Sequence, residues 1–471
     1  MSGPRLWLVL FAALLVTHLD FLTVPAGLDA TWSVMAGAET LASNGFSYTD
    51  LLGRPGLLEG GPSTHATSIV TFVTALVLVA LGPGVPALVA LHLIQLAVGA
   101  TGLWFTFRLA CRLMSARQAW IITIAVALTP IIFTQMGSVY LETPMLTAAM
   151  GAFWFAEQDR PAPSAVAALL AVAVKPSGIA VVGTILLVGL ITNRRRLGWQ
   201  ISLFLAAGAL VLFTGQQYGL DQGTPFDWPE IQRFWRSQAG FLAATPMTLA
   251  VAFAHTGASI WWWKRRVQRR SLDYLAVFPW VFVGQHVLGV VAGQTTNLLP
   301  RYWAVALPAM LITTGVWLVA ACSTEFVRVV TVGYVGVALI GLAGYLGPDA
   351  AAPDFILAER APTSRQLIRL EKVAIAELVA SDATVLATLD TSFRLEYPAA
   401  GYVDARHEGH LTVPGGGALL SGLPDHVIFI ERDGSPRNTL LKAQLGPGWT
   451  IETHALQKGR FTIRIVEAWR R

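Results

Sequence analysis

The chain has 471 residues, 54% of them hydrophobic and only 13% charged, with a formal net charge of +5. Soluble domains carry about 25% charged residues, so a mean hydropathy of +0.57 excludes an ordinary soluble protein for most of this length. Arg and Lys fall in tight clusters between apolar runs, which is orientation information for a membrane protein and argues against nucleic acid as a partner.

Arg5 precedes an apolar run from Leu6 to Val16 with no clean small-x-small cleavage site after it, which reads as a retained signal-anchor helix. Further apolar segments lie near 66–82, 86–107, 118–135, 144–157, 162–174, 177–192, 199–214, 243–263, 272–291, 302–320 and 328–346. Many have the length needed to cross the hydrocarbon layer, about 20 residues. Cys111 and Cys322 have no metal-type spacing and form no disulfide framework.

The basic clusters Arg194–Arg196 and Lys264–Arg270, with Arg108, Arg112, Arg117 and Arg5, belong in the cytoplasm by the positive-inside rule. From those anchors the loops 136–143, 175–176, 215–242 and 293–301, and everything after 346, fall outside. Segment 66–82 then begins and ends on the outer face. It is expected to lie along the interface or to dip in and return, leaving about eleven crossings. Its Gly82-Pro-Gly-Val-Pro86 tail suits a turn at the surface. The alternative is that 162–192 crosses once or three times and 66–82 is an ordinary span.

The first connection, 25–65, is unusually long for a polytopic chain. It opens on Pro25-Ala-Gly-Leu-Asp29, continues through Asn44-Gly-Phe-Ser-Tyr48 and ends at Pro62-Ser-Thr-His65. From about 349 the composition shifts to frequent charge. An amphipathic helix is expected from Thr363 to about Val379, and strands at Thr384–Leu389, His426–Glu431 and Phe461–Val466. The expected architecture is an all-α polytopic membrane domain, 1–348, followed by a small α/β extracytoplasmic domain, 349–471. That second unit shows no phosphate loop, CxxC or Ser-His-Asp pattern and is read as a structural or acceptor-docking cap.

Ionisable groups at membrane depth are costly and tend to be functional. On the outer side the chain has Asp20, Asp29, Glu39, Asp50, Glu59, His65, His92, Glu142, Lys175, Asp221, Asp227, Glu230 and Arg301. Asp29 precedes a helical pattern and suits a helix N-cap, which does not exclude a chemical role. Glu142 is either a first-turn acid favourable to a helix dipole or a second carboxylate beside the same cavity. Lys175 either snorkels to the interface or serves a site. Arg301 runs against the positive-inside bias, and its guanidinium fork suits a phosphate. His65 and His92 are weaker signals, and no pair has metal-site spacing.

At these residues the chain resembles the polytopic GT-C glycosyltransferases, in particular the protein O-mannosyltransferase and aminoarabinose-transferase branch. The resemblance rests on Asp29-Ala30 with the helix to Leu41, Asn44–Tyr48, Pro62–His65, Gly137–Pro144 with Glu142, Val174-Lys-Pro-Ser-Gly178, and Pro300-Arg-Tyr-Trp-Ala-Val-Ala-Leu-Pro308. It spans residues 1 to about 346 by order and spacing. Ala30 stands where the family's acidic pair has its second acid, and His92 stands roughly where the family often has an Arg.

The resemblance implies a GT-C-like fold and a polyprenyl-phosphate-linked sugar donor at the outer face of the cytoplasmic membrane. The acceptor, a protein, lipid or glycan, would attack the anomeric carbon with inversion. Asp29 would be general base, and Arg301 with Lys175 or His92 would hold the leaving phosphate. Glu142, His65 and Tyr302 would bind substrate on the acceptor side, and 66–82 would roof a groove for the lipid tail. No cofactor is expected, and a divalent cation has no second acid beside Asp29 to argue for it. Two other classes stay open: a lipid-linked-glycan flippase or transporter, and a non-enzymatic membrane scaffold with an outer sensor domain.

Overall fold

The computed structural model describes residues 3–27, 30–48, 68–192, 197–215, 226–265, 270–292, 302–346, 365–412, 423–432, 445, 448–458 and 461–470. The first expected span is helix α1, Gly3–His18, which buries Leu6, Leu10, Leu14 and His18, one residue per turn. Its opposite face exposes Leu8, Val9 and Val16. An exposed face as apolar as the packed one is what lipid contact requires. The same apolar exposure recurs at Val79, Leu205, Phe253, Leu288, Val329 and Val332. The chain is a multi-pass membrane protein.

After a wide turn in which Ala36 N–H reaches Thr31 O comes the short helix α2, Ala36–Ser43. Helix α3, Ile69–Leu81, is capped by Ser68 Oγ, which accepts from Val70 N–H. It is followed by α4, Val85–Leu113, whose 29 residues reach about 44 Å. Next come α5, Ala116–Leu128, α6, Pro130–Gly137, α7, Glu142–Glu157, and α8, Pro161–Val174. Helix α4 is the spine, packed against α1, α5 and α7. Thr147 Oγ1 donates to Val98 O across the α4–α7 seam at 2.8 Å.

The membrane domain continues with α9, Ile179–Thr192, α10, Leu197–Gly215, α11, Trp228–Ala244, α12, Pro246–Arg265, α13, Arg270–Val291, α14, Trp303–Ala321, and α15, Thr324–Leu346. Each apolar segment expected from the sequence corresponds to a helix, with two differences. The stretch 118–135 is two helices bent by 68° at Thr129, because Pro130 disfavours helical geometry in the residue before it. The connection 215–242 contains α11, whose mixed polar and aromatic sequence is amphipathic rather than apolar.

Among the described residues four helices are long and apolar enough to cross a membrane alone, or six if each bent pair is one span. The other apolar helices include Ile69–Leu81, Pro161–Val174 and Pro176–Thr192. They rise about 20–26 Å, against a hydrocarbon thickness of about 30 Å.

The C-terminal part begins with α16, Arg365–Ala380. It continues through β1, Thr384–Ala387, α17, Leu389–Glu396, β2, His410–Thr412, β3, His426–Arg432, β4, Trp449–Lys458, and β5, Phe461–Arg470. The sheet order is β2-β1-β3-β5-β4, parallel for β1 with β2 and β3, antiparallel for β5 with β3 and β4. Val427, Phe429, Val466 and Ala468 are buried on one face, and Ile428, Ile463 and Ile465 on the other, where α16 packs. Helix α16 and three strands were legible in the sequence. Two strands were missed, both at sheet edges: β2 is only three residues long, and β4 exposes Glu452, His454 and Gln457, so its pattern lacks a strong apolar alternation.

Candidate active site

A buried ion pair joins two of the sequence-selected residues. Glu142 begins α7, and Lys175 directly follows α8; Lys175 Nζ lies 3.4 Å from Glu142 Oε1, with side chains 8% and 1% exposed. The same ammonium sits 3.3 Å from the centre of the Tyr302 ring, at the start of α14. A cation over an aromatic face in a desolvated place is held by the ring quadrupole. The Tyr302 ring lies 5.9 Å from that of His286 on α13.

The turn carrying Lys175 is built by its neighbours. Lys175 is extended at φ −158°, ψ 136°, and Pro176 starts a single 3-10 turn, Pro176–Gly178. A Cβ at Gly178 would lie 2.2 Å from Ala171 O, a backbone atom, so only glycine lets α9 start so close to the end of α8. Gln285 Nε2 donates to Ser177 O at 2.8 Å, fixing this turn to α13. Ser68 Oγ donates to Val174 O at 2.8 Å, fixing the return of the first long loop to the residue before Lys175. Gln285 Oε1 and Trp303 Nε1 are buried with no hydrogen-bond partner among the described residues. They leave polar capacity at this end of the bundle that a polar ligand would satisfy.

No family model matches the chain, and no curated protein matches it. Among solved structures it is similar to ArnT from Cupriavidus metallidurans in the apo state, with a TM-score of 0.50 and 14% identity over 98% of each chain. The chain shares the fold of that structure. It also matches the Archaeoglobus fulgidus oligosaccharyltransferase AglB in complex with an inhibitory peptide and a dolichol-phosphate, with a TM-score of 0.47 and 12% identity over 91% of this chain and 70% of that one. The apo form of the Archaeoglobus fulgidus oligosaccharyltransferase gives 0.48 and 13%, over 85% and 64%.

On this fold, Glu142, Lys175 and Tyr302 come together although more than a hundred residues separate the first from the last. His92 makes its hydrogen bonds elsewhere. Its Nδ1 is 2.9 Å from Gly137 O and its Nε2 3.1 Å from Val24 O. With a main-chain carbonyl within hydrogen-bond distance of each ring nitrogen, one of which the N–H can reach, His92 joins the segment at Val24 and the end of α6 to α4. Asp29, His65 and Arg301 lie outside the described residues.

Gln285, His286 and Ser177 were not singled out from the sequence. Their signal was present in the adjacent polar pair Gln285-His286 inside the apolar run 272–291, an unusual feature for a membrane span. Glu39 of α2 was noted only as an outer acid. Its carboxylate accepts from Ala399 N–H at 3.0 Å. Burial pushes its pKa above the ordinary carboxylate value, opposed by that N–H and by Arg406. Among the described residues, no group of three or more His, Cys, Asp or Glu side chains could hold a metal ion.

Proposed function

We propose that the protein moves a sugar from a polyprenyl-phosphate-linked donor to an acceptor at the outer face of the cytoplasmic membrane. The observation that carries this reading is the buried Glu142–Lys175 ion pair with the half-buried Tyr302 ring beside it, on a fold shared with ArnT. A carboxylate, an ammonium and an aromatic face sit side by side, where one polar substrate bridges them.

An acceptor hydroxyl or amine attacks the anomeric carbon from the face opposite the phosphate. The new bond to the acceptor forms as the bond to the phosphate oxygen breaks, which inverts the configuration. Asp29 takes the acceptor's proton, and the electron pair leaves with the polyprenyl phosphate. That charge must be met in a water-poor place, where fixed cations count most. Lys175 and Arg301 supply them, Arg301 being the residue before Tyr302 in the chain. Glu142, held in place by Lys175, shapes the acceptor side with Tyr302 and His65. The apolar helix α3, pinned at Ser68 to the Lys175 turn, covers the lipid tail.

The N-terminus is cytoplasmic and the C-terminal domain extracytoplasmic in this reading. The test is incubation of purified protein in liposomes with a radiolabelled polyprenyl-phosphate sugar and a mixed pool of acceptor lipids, glycans and peptides. Label transferred to an acceptor supports the assignment. Label that changes leaflet without leaving its lipid identifies a flippase, and label that does neither sinks both.

A further inference from the structure

The first outer loop is held from above by the C-terminal domain, at the residues that flank Asp29. Beyond α17 the chain makes a single 3-10 turn, Pro398–Ala400, followed by Gly401 at φ +83°. This turn inserts between the first loop and α4. Ala26 N–H donates to Ala400 O at 2.9 Å, Tyr402 Oη donates to Ala26 O at 3.1 Å, and Ala399 N–H donates to Glu39 of α2 at 3.0 Å. A Cβ at Gly401 would stand 2.4 Å from Leu88 Cδ1 and 3.5 Å from Pro25 Cα. The left-handed backbone and the close approach together demand glycine.

From below, His92 Nε2 meets Val24 O at 3.1 Å. On the far side of Leu28-Asp29, Thr31 N–H donates to Gly27 O at 2.8 Å, and Thr31 Oγ1 reaches both Ala26 O and Gly27 O at 3.1 Å. Residues 24–26 are thus held from both sides, and Thr31 is tied back to Ala26 and Gly27. Tyr402 is itself set by the domain: it is buried, with the Arg394 guanidinium 5.2 Å from its ring centre. Arg394 in turn pairs with Glu371 of α16 at 2.9 Å.

We propose that the Pro398–Tyr402 turn of the C-terminal domain is a positioning element for the acid-bearing first loop, with Tyr402 and Gly401 as its specific positioning residues. The domain is then part of the catalytic apparatus although it contributes no reacting group. This inference rests on the assignment of Asp29 as general base. A base must sit within hydrogen-bond reach of the proton it removes, and small displacements are costly in rate.

The test compares the full-length wild type with Tyr402→Phe, Gly401→Ala and the control His454→Ala, whose side chain is exposed on β4. Sugar transfer and amide hydrogen exchange are measured on the same preparations. Tyr402→Phe keeps the ring and removes only the hydroxyl, so kcat is expected to fall roughly five- to tenfold with the donor KM unchanged. Exchange in the segment 24–35 is expected to rise about tenfold while the rest of the C-terminal domain stays protected. Gly401→Ala gives a larger effect of the same kind, and His454→Ala gives none.

Faster exchange with unchanged kcat overturns the positioning role and leaves a docking contact only. Unchanged exchange in both Tyr402→Phe and Gly401→Ala overturns the inference altogether. Absence of transfer by the wild type overturns the reaction assignment and with it the positioning role, while the exchange result still decides whether the turn grips the loop.

Discussion

The Glu142–Lys175 pair allows the sharpest calculation. At 3.4 Å and an effective dielectric of about 20, two unit charges attract by about 5 kcal/mol. Desolvation offsets much of this, so the whole pair adds little relative to an apolar pair, but removal of one partner costs about 3–5 kcal/mol. The two single changes should not be equal. In Glu142→Gln the ammonium keeps the Tyr302 ring, worth about 2 kcal/mol when desolvated, and the net loss is about 2.5 kcal/mol. In Lys175→Met a carboxylate that is 1% exposed loses its cation, with a loss of about 4 kcal/mol. The double variant leaves neither charge, but it loses the Tyr302 contact, about 2 kcal/mol, and buries a poorly satisfied Gln amide, about 1.5 kcal/mol; the total of about 3.5 kcal/mol gives a coupling of about 3 kcal/mol. At about 2 °C per kcal/mol for a large chain, detergent-solubilised protein should melt about 5 °C lower in Glu142→Gln and about 8 °C lower in Lys175→Met. The double variant should melt about 7 °C lower, against about 13 °C if the singles added. Additive single effects would show that the two groups do not interact in the folded protein, and the cluster would lose its standing as a site.

The remaining expectations are simpler. Asp29→Asn should lower kcat for sugar transfer by about 100-fold or more with donor binding retained, as for loss of a general base; an unchanged kcat removes Asp29 from the mechanism. Arg301→Ala should weaken binding of the product polyprenyl phosphate about tenfold or more, read by product inhibition. In the C-terminal domain, His410 Nε2 lies 3.1 Å from Glu396 Oε1, and Ser392 Oγ is hydrogen-bonded to both. The Glu396 hydrogen bond raises the His410 pKa above its ordinary 6.5 against the effect of burial. For Glu396 burial acts upward, but the bonds from His410 and Ser392 outweigh it and leave the pKa below its ordinary 4.5. A raised histidine stabilises fully below about 6.5 and loses its contribution as pH rises through the folded value. A lowered carboxylate stabilises above about 4.5 and loses its contribution as pH falls through the folded value. The pair therefore stabilises most between about pH 4.5 and 6.5, and His410→Gln should cost about 1–2 kcal/mol there and less at pH 8. Equal losses at both pH values in thermal unfolding would contradict this assignment.

The relation between sequence and structure follows the range of each interaction. Helices α4 and α14 were legible because apolar runs of spanning length dictate a helix wherever lipid excludes water from the backbone. The bend at Thr129 has a strictly local cause in Pro130. The outer acids, Lys175 and Arg301 could be selected because charge is conspicuous in a chain this apolar. His92, chosen as a phosphate ligand by its place in the motif order, lies between two main-chain carbonyls, Gly137 O and Val24 O, a placement no local pattern announces.

By itself the amino-acid sequence determined the apolar helices, the small mixed α/β domain at the end, and the membership of Glu142, Lys175 and Tyr302 in a short roll of candidates. These depend on hydropathy, charge and turn chemistry, which act over a few residues. Only the tertiary structure decided that those three side chains share one buried place. It alone seated Gly401 against Leu88 and Pro25, and passed the grip on the first loop to Tyr402, some 370 residues beyond it. Contacts between chain segments so far apart arise from packing of whole helices and domains, and a single sequence carries no local mark of them.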